Sequence, residues 1–358
     1  MLLKSYTSVQ ALRAVAALSV VAFHVSENIE RTSGEAVAGG LFRKGFAGVD
    51  LFFVVSGFII VHTCRHYTGH PEALLPYFSR RFFRIFPLYW LSLAPLLGFL
   101  WLFPNSPLVN HWPELGPGAV VSTLLLLPGH NEVNAVSWTL SFEWFFYLLF
   151  ALLIWSRKAW VVPGALAFAS LLNGVMLRYE GVNSGTELWR FFFLSPLNLE
   201  FLIGATVAVL RARVRVNYPL GLVGAGLLVV WLGCPDEPWN LNRVWSLGPG
   251  AGLILFGVIR AEEKKQFQVP RWLRTLGDAS YPLYLIHFPL LVLCNKMLVR
   301  YGILPIAARL AVDVLLITGM CWVSIRIHRR VELPLRNLTT RKANPSGEKK
   351  TDSLPDRA

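Results

Sequence analysis

The sequence predicts an all-α integral membrane protein, a polytopic bundle of about ten transmembrane helices with both termini in the cytoplasm. Of its 358 residues, 54% are hydrophobic and only 15% are charged, and the chain contains 24 Phe and 13 Trp. Soluble domains of this size do not have that composition. A spanning helix needs about 20 mostly apolar residues. Apolar stretches close to that length recur from residue 7 to residue 327.

Short polar segments separate the ten expected spans. The spans are 7–26, 46–64, 82–103, 138–156, 160–177, 191–210, 218–233, 246–260, 279–299 and 305–327. The first of them also resembles a signal peptide, but Arg13 and His24 interrupt its apolar run and no convincing small-residue cleavage site follows. We therefore interpret it as the first spanning helix.

The net charge of +13 could suggest a nucleic-acid partner. Most Lys and Arg residues, however, lie in short clusters between apolar stretches, on the side that the positive-inside rule assigns to the cytoplasm. The charge therefore indicates topology, and we expect no nucleic acid as a partner. The four cysteines are scattered without a paired spacing, so neither a disulfide framework nor a metal site is predicted.

Two segments limit the membrane domain. The apolar segment 118–128 is too short to span a bilayer and is predicted to be re-entrant or interfacial. The tail from Arg341 is charged, rich in Pro, Ser and Gly, and lacks apolar periodicity. We expect a transmembrane domain over 1–336 and a disordered cytoplasmic tail over 337–358, so any chemistry must take place in the membrane domain.

Ionisable side chains inside spanning helices are unfavourable and are candidates for function. Here they are Arg13, His24, Asp50, Glu143, Glu200, His287 and Asp313. Each one could instead be neutralised by a packing partner on a neighbouring helix, and we favour that interpretation for Glu200 and Asp313.

The first helix carries two of these residues on one face. Arg13 and His24 are eleven positions apart, which is three turns plus about 20° and a rise of roughly 16 Å. Because the second helix runs back inward, Asp50 is expected at the level of His24. A carboxylate on one ring nitrogen would make the other a general base for a hydroxyl group. The alternative is that His24 is an interfacial hydrogen-bonding residue.

Three further motifs carry candidate site residues. In SWTLSFEWFFY, Glu143 could act as an acid or bind acceptor hydroxyls, and Trp138 could stack on a sugar or mark the membrane interface. In RRFFRIFPLYW, Arg81 and Arg84 could grip phosphates or anchor the helix in the cytoplasm. The run SYPLYLIHFP adds Tyr284 and His287, and His287 could equally be a core histidine.

These motifs together resemble membrane-bound acyltransferase family 3, the O-acyltransferases of bacterial surface polysaccharides, exopolysaccharides and some antibiotics. The likeness extends from Ser8 to about Arg336 and is carried by LRAVAALSVVAFH, GFAGVDLFFVVSGF, the run from Arg81 to Arg84, SWTLSFEWFFY and SYPLYLIHFP. It is closest to stand-alone exopolysaccharide acetyltransferases, because only a short tail follows the last expected span.

The resemblance implies a multi-pass protein of the bacterial cytoplasmic membrane that takes an acyl group, acetyl above all, from cytoplasmic acyl-CoA. The acceptor would be a hydroxyl of a glycan or lipid-linked sugar, and polysaccharide-assembly proteins are possible partners. It makes Arg13 and His24 essential and assigns Arg81 and Arg84 to the donor, with no metal. Asp50, Glu143 and His287 match family motif positions without assigned roles.

Two other functions stay open at this point. A transporter or flippase of a glycan precursor would also have many helices and buried charges, but it would act without acyl-CoA. Inverted repeats would favour a transporter, and the sequence shows none by eye. A structural subunit of an export complex is the other alternative.

Overall fold

The computed structural model describes residues 6–34, 37–102, 116–128, 133–176, 192–301 and 306–342, and most of these residues are helical, with no β-strand among them. The α-helices are α1 Thr7–Ser33, α2 Ala47–Cys64, α3 Leu74–Leu102, α4 Pro117–Leu124, α5 Trp138–Trp155, α6 Val161–Met176, α7 Asn198–Leu210, α8 Pro219–Gly233, α9 Val244–Glu263, α10 Arg271–Asp278, α11 Ser280–Tyr301, α12 Ile306–Ile327 and α13 Leu333–Lys342. The predicted all-α class is confirmed.

Seven described helical segments are long and apolar enough to cross a membrane. They are Thr7–Arg31, Gly40–Tyr67, Pro71–Phe99, Trp138–Trp155, Arg157–Val175, Val244–Glu263 and Ala308–Asn337. The pair α10 and α11 passes the same test together but is bent by 70°. The segments expected at 191–210 and 218–233 are represented by α7 and α8, which have 13 and 15 residues. The protein is therefore a multi-pass membrane protein, and a total of ten crossings stays a prediction.

The short helix α4 has eight residues, which is too few to span a bilayer. Its C-terminal end is held against α3 by two hydrogen bonds. The Tyr89 hydroxyl donates to the Thr123 carbonyl at 2.8 Å, and the Trp90 indole donates to the Leu124 carbonyl at 2.9 Å. The segment 118–128 thus does not span the membrane, as its length predicted.

The bend between α10 and α11 brings α11 beside α1. A Cβ atom on Gly277, near the end of α10, would lie 1.9 Å from the Gln10 carbonyl oxygen, so only glycine allows this contact. From there α11 begins at Ser280 and packs along α1. The bend therefore places the SYPLYLIHFP residues against the helix that carries Arg13 and His24.

Helices α2 and α7 approach each other through two glycines. A Cβ on Gly57 would lie 2.0 Å from the Phe201 carbonyl oxygen, and one on Gly204 would lie 1.8 Å from the Val54 carbonyl oxygen. Small residues allow such backbone contact between membrane helices, where dispersion forces rather than water exclusion stabilise association. This contact fixes the position of α2 in the bundle.

Gly204→Ala is therefore expected to destabilise the protein, because the new methyl group would collide with a backbone carbonyl that cannot rotate away. Overpacking of this kind typically costs about 1–3 kcal/mol and occasionally more. The melting temperature of the purified protein in detergent measures the effect. Gly224→Ala in α8 is the control, since nothing lies within 4 Å of its added Cβ. Equal melting temperatures for the two variants would contradict the close packing of α2 and α7.

The N-terminal end of α1 is tied to α9. The Glu262 carboxylate accepts hydrogen bonds from the backbone N–H groups of Thr7 and Ser8, each at 2.9 Å, and so satisfies donors that a helix start leaves free. The Tyr6 hydroxyl donates to Glu263 at 2.6 Å.

At the other end of the chain, the predicted domain boundary at residue 336 falls inside α13, which continues to Lys342. Residues 343–358 lie outside the described part of the chain.

Candidate active site

A cavity of about 50 Å³ lies inside the bundle between α1, α2, α3, α5 and α11. A water molecule needs roughly 10–15 Å³ measured in this way, so the cavity holds a few waters or a small group. Polar side chains from all five helices line it: Arg13, Ser56, Arg84, Thr139, Glu143, Ser280, Tyr281 and Tyr284. The sequence predicted Arg13, Arg84, Glu143 and Tyr284 as site residues, and the structure brings these four together.

The charged groups of the cavity are two arginines and one glutamate. The Arg84 guanidinium lies 3.8 Å from a Glu143 carboxylate oxygen, and the Tyr147 hydroxyl donates a hydrogen bond to the same carboxylate. The Arg13 guanidinium donates to the Gln10 side chain at 3.1 Å. Among the lining side chains one cation is therefore in excess, and the Glu332 carboxylate, which does not line the cavity, also interacts with both arginines. Such a site favours an anion or the negative charge that develops on a carbonyl oxygen under attack.

Arg81 does not line this cavity, although it is only three residues from Arg84. Its guanidinium is buried, lying 5.5 Å and 5.0 Å from the ring centres of Tyr77 and Tyr147. It also donates a hydrogen bond to the Cys64 sulfur at 3.0 Å. Positions three apart on a helix differ by about 60° in direction. The two arginines, predicted to act as a pair, therefore have different polar partners, Cys64 for Arg81 and Glu143 for Arg84, although Tyr147 lies beside both.

His24 lies further along α1, next to His287 of α11. Their ring centres are 5.4 Å apart, and the Phe288 ring centre is 5.1 Å from that of His24. The Nδ1 atom of His24 is 3.5 Å from a Glu27 carboxylate oxygen. With eleven positions between Arg13 and His24, the imidazole lies roughly 16 Å along α1 from the arginine of the cavity. The sequence correctly predicted both residues on one helix and missed Glu27.

The orientation of His287 is set by its own helix. Its Nδ1 atom lies 2.7 Å from the Tyr284 carbonyl oxygen, which can only accept a hydrogen bond, so Nδ1 carries the proton and Nε2 keeps a lone pair. The Tyr284 hydroxyl receives a hydrogen bond from Thr139 at 3.0 Å. Tyr284 thus contacts the cavity on one side and holds His287 on the other. This arrangement connects the cavity to the two histidines.

Asp50 lies apart from His24, contrary to the expected contact. A Cβ on Gly45 would meet the Ser19 carbonyl oxygen at 2.3 Å, and one on Gly48 would meet the Ala16 carbonyl oxygen at 2.4 Å. Since α2 runs antiparallel to α1, Asp50 lies about ten residues, or roughly 15 Å, below His24. The reason is the 3-10 segment Val37–Phe46, which carries the chain back along α1 before α2 begins.

The partner of Asp50 is instead an arginine that is distant in sequence, in the 3-10 turn before α9. The Arg243 Nε atom donates to an Asp50 carboxylate oxygen at 3.0 Å, and both side chains are buried. Glu200 of α7 lies next to this pair. Nothing in the sequence indicated Arg243, because 193 positions separate it from Asp50. The group connects α2, α7 and the start of α9.

The remaining predicted residues have aromatic or ionic partners. The Trp138 ring lies 6.2 Å from Phe53 and 5.8 Å from Trp239, in an aromatic cluster at the start of α5. Asp313 accepts from Arg309 at 2.8 Å, so its charge is neutralised as expected, but by a residue of its own helix and not by one on a neighbouring helix. Among the described residues, no group of three or more His, Cys, Asp and Glu side chains could hold a metal ion.

Tyr147, which the sequence analysis missed, carries a recognisable signal. It lies four positions after Glu143, so both side chains emerge on one face of α5. Glu27 follows the same rule, three positions after His24. Both residues could have been found from helical spacing to a residue already selected.

The fold and this site define a class: a multi-pass helical membrane protein whose polar and ionisable side chains converge inside the bundle. The family model described as an acyltransferase domain matches residues 6–329, and the chain belongs to this family, acyltransferase family 3. The resemblance noted in the motifs is thereby confirmed. The protein is an O-acyltransferase.

Three relatives show the range of proteins that this chain is similar to. The exopolysaccharide production protein ExoZ of Rhizobium meliloti is 29% identical over 70% of this chain and 77% of its own length. The acyltransferase MdmB of Streptomyces mycarofaciens is 27% identical over 82% of this chain and 79% of its own. The O-acetyltransferase OatA of Staphylococcus aureus is 23% identical over 91% of this chain, which spans 56% of OatA. No solved structure matches the chain.

Proposed function

We propose that the protein transfers an acyl group, acetyl first of all, from cytoplasmic acyl-CoA to a hydroxyl of a surface or exported polysaccharide or of its lipid-linked precursor. We place it in the bacterial cytoplasmic membrane, alongside polysaccharide-assembly proteins. One observation carries the proposal. Along α11 the cationic cavity adjoins the histidine pair, because Tyr284 lines the cavity and His287 follows three residues later beside His24, whereas Arg13 and His24 are roughly 16 Å apart along α1. Such a spacing suits a donor that enters from one side of the membrane and an acceptor that enters from the other.

The donor would enter at the N-terminal end of α1. Arg13 and Arg84 face the cavity, so these cations would bind the carbonyl oxygens of the pantetheine arm as it passes through the cavity towards His24. A volume of about 50 Å³ has no room for the nucleotide of coenzyme A. Only the pantetheine arm with its acyl end would therefore enter, with the phosphates left outside the bundle. Arg81, which the resemblance assigns to the donor, would instead support the cavity by holding Tyr147.

His24 would act as the general base. In this step the acyl end of the donor has passed through the cavity and lies beside His24, whose free ring nitrogen takes the hydroxyl proton. The hydroxyl oxygen attacks the thioester carbon, and the sulfur leaves as the coenzyme A thiolate, which takes up the proton that His24 removed. Trp138, Tyr284 and His287 would contact the acceptor. In a variant of this mechanism His24 first carries the acyl group itself. A trapped acyl-histidine would establish that variant, and strictly sequential kinetics would count against it.

Glu27 would orient His24, the role that the sequence analysis assigned to Asp50. Glu27→Gln is expected to lower kcat about tenfold or more with little change in KM for acetyl-CoA, because the base would lose its nearest carboxylate. Glu27→Asp should recover part of the rate. Steady-state kinetics in matched membranes provides the measurement.

Two other variants complete this test. Glu30→Gln, on the same helix but paired with Arg43 at the surface, should behave like the wild type. Asp50→Asn should lower thermal stability, since it weakens the buried pair with Arg243. Two results would contradict the role of Glu27 and favour Asp50 as the residue that orients His24. One is a Glu27→Gln enzyme with wild-type kcat, and the other is an Asp50→Asn enzyme that has a normal melting temperature but no activity.

The proposed activity is tested by incubating membranes that contain the protein with radiolabelled acetyl-CoA and the host polysaccharide precursor. Label in the glycan that depends on the protein is the expected result. Labelled succinyl-CoA in parallel reactions establishes the donor class. Movement of the precursor across the membrane without acyl-CoA, and without any labelled glycan, would instead favour the transporter alternative.

A further inference from the structure

A second, larger cavity of about 470 Å³ lies between α3, α11, α12 and the residues just before α5. Its volume is in the range of cavities that hold small organic molecules. Pro95 of α3 and Pro289 of α11 both line it. A proline inside a helix removes a backbone hydrogen bond and bends the helix, which helps to keep these two helices apart.

The lining of this cavity is apolar. Ser92 is the one described lining residue with a polar side chain, and its hydroxyl donates to the Tyr89 carbonyl at 2.7 Å. No described lining side chain thus has a hydrogen-bond donor to spare. Phosphates or sugar hydroxyls placed here would lose their hydration without compensation. The lining therefore suits hydrocarbon and excludes both coenzyme A and a free glycan.

The rim of the cavity faces the bilayer. Leu91, Leu293 and Val323 line it and are 51%, 49% and 37% exposed, each on a helix of membrane length or on the bent α11. Large apolar side chains exposed at that depth contact lipid tails. An occupant would therefore enter sideways from the membrane.

One wall of the cavity is shared with the candidate active site. Phe288 lines the cavity, and its ring centre is 5.1 Å from that of His24. The preceding residue, His287, contacts the same imidazole at 5.4 Å. A chain held in the cavity would leave its polar head beside the two histidines. This adjacency distinguishes the cavity from an ordinary lipid-filled gap between helices.

We propose that this cavity binds the hydrocarbon chain of a lipid-linked acceptor and presents the attached sugar to His24. The inference rests on the proposed acyl transfer and identifies the acceptor as a membrane lipid, not a free polysaccharide. The lipid chain would then supply binding energy remote from the reacting hydroxyl, as remote contacts do in other enzymes.

Leu96→Trp tests this by filling the cavity, and Leu315→Trp is the control, since Leu315 is 72% exposed on α12 and does not line the cavity. Two acceptors are compared: lipid-linked oligosaccharide extracted from producing cells, and the same oligosaccharide released by mild acid. Leu96→Trp should lower kcat/KM for the lipid-linked acceptor about tenfold or more through KM. Transfer to the released oligosaccharide, KM for acetyl-CoA and the melting temperature should not change. An equal loss with both acceptors, or no loss with either, would overturn the proposal.

Photolabelling of the wild-type protein provides a measurement that does not depend on a variant or on activity. A long-chain isoprenyl phosphate with a diazirine in its chain should label residues 88–99 or 282–293, and Leu96→Trp but not Leu315→Trp should prevent it. A phosphatidylcholine with a diazirine in its chain is the comparison probe. If it labels the same residues equally, and if unlabelled isoprenyl phosphate does not reduce that labelling, bulk lipid fills the cavity. If wild type transferred acetyl to neither acceptor, the proposed function would fail, whereas the labelling would still decide what the cavity binds.

Discussion

His24→Ala is expected to abolish acyl transfer while leaving folding and membrane insertion intact. The imidazole is 20% exposed, and its Nδ1 atom has no hydrogen-bond partner among the described residues. Its contacts are ring packing against Phe23, His287 and Phe288 and the 3.5 Å approach to Glu27. Because the site is partly open to solvent, removal of the ring should cost less stability than a cavity in a closed core. Loss of a general base, by contrast, lowers rates by roughly 10²–10⁴.

The measurement is label transfer from radiolabelled acetyl-CoA to glycan in membranes with matched amounts of each variant. His70→Ala is the control, because His70 is an exposed histidine paired with Glu72 outside both cavities. It should keep full activity. A His24→Ala enzyme that retained more than about a tenth of wild-type activity would exclude the general-base role.

Arg84→Gln has the second largest expected effect, because it removes a cavity cation and leaves Glu143 without its ionic partner. Truncating one member of a mostly buried ion pair costs up to about 3 kcal/mol, since the remaining charge is poorly solvated. Both the melting temperature and acyl transfer should therefore fall. This variant alone does not separate a catalytic role from a structural one.

The double variant Arg84→Gln with Glu143→Gln makes that separation. Two neutral side chains of similar shape no longer leave a charge unpaired, so the melting temperature should return most of the way to the wild-type value. Acyl transfer should stay low, because a cation that binds the donor in the cavity is still missing. Recovery of activity together with stability would show that Arg84 serves only to neutralise Glu143.

The contrast between Arg84 and Arg81 shows a limit of prediction from sequence. Their spacing on α3 indicated one shared side, and the RRFFR run suggested one shared ligand. In the structure Arg84 lines the cavity, whereas Arg81 is buried between Tyr77 and Tyr147. Spacing along a helix fixes the angle between two side chains. The residues that each side chain contacts depend instead on how α2 and α5 pack against α3.

Composition and residue spacing were enough to predict the class of structure and four of the polar side chains that line the small cavity. Composition and the length of the apolar stretches are properties of the chain alone, and they require helices in a bilayer because backbone groups must be satisfied within each segment. Helical periodicity is equally local. It placed Arg13 and His24 on one face of α1, and it would have linked Glu27 to His24 and Tyr147 to Glu143.

Only the tertiary structure decided which groups meet between helices. The pairing of Asp50 with Arg243 depends on the depth at which α2 starts, and that depth is set by the 3-10 segment Val37–Phe46 and by glycine contacts with α1. The apolar cavity next to Phe288 is likewise a space between separate helices. No spacing in the sequence encodes either feature, because contacts between distant segments arise from the packing of the whole bundle.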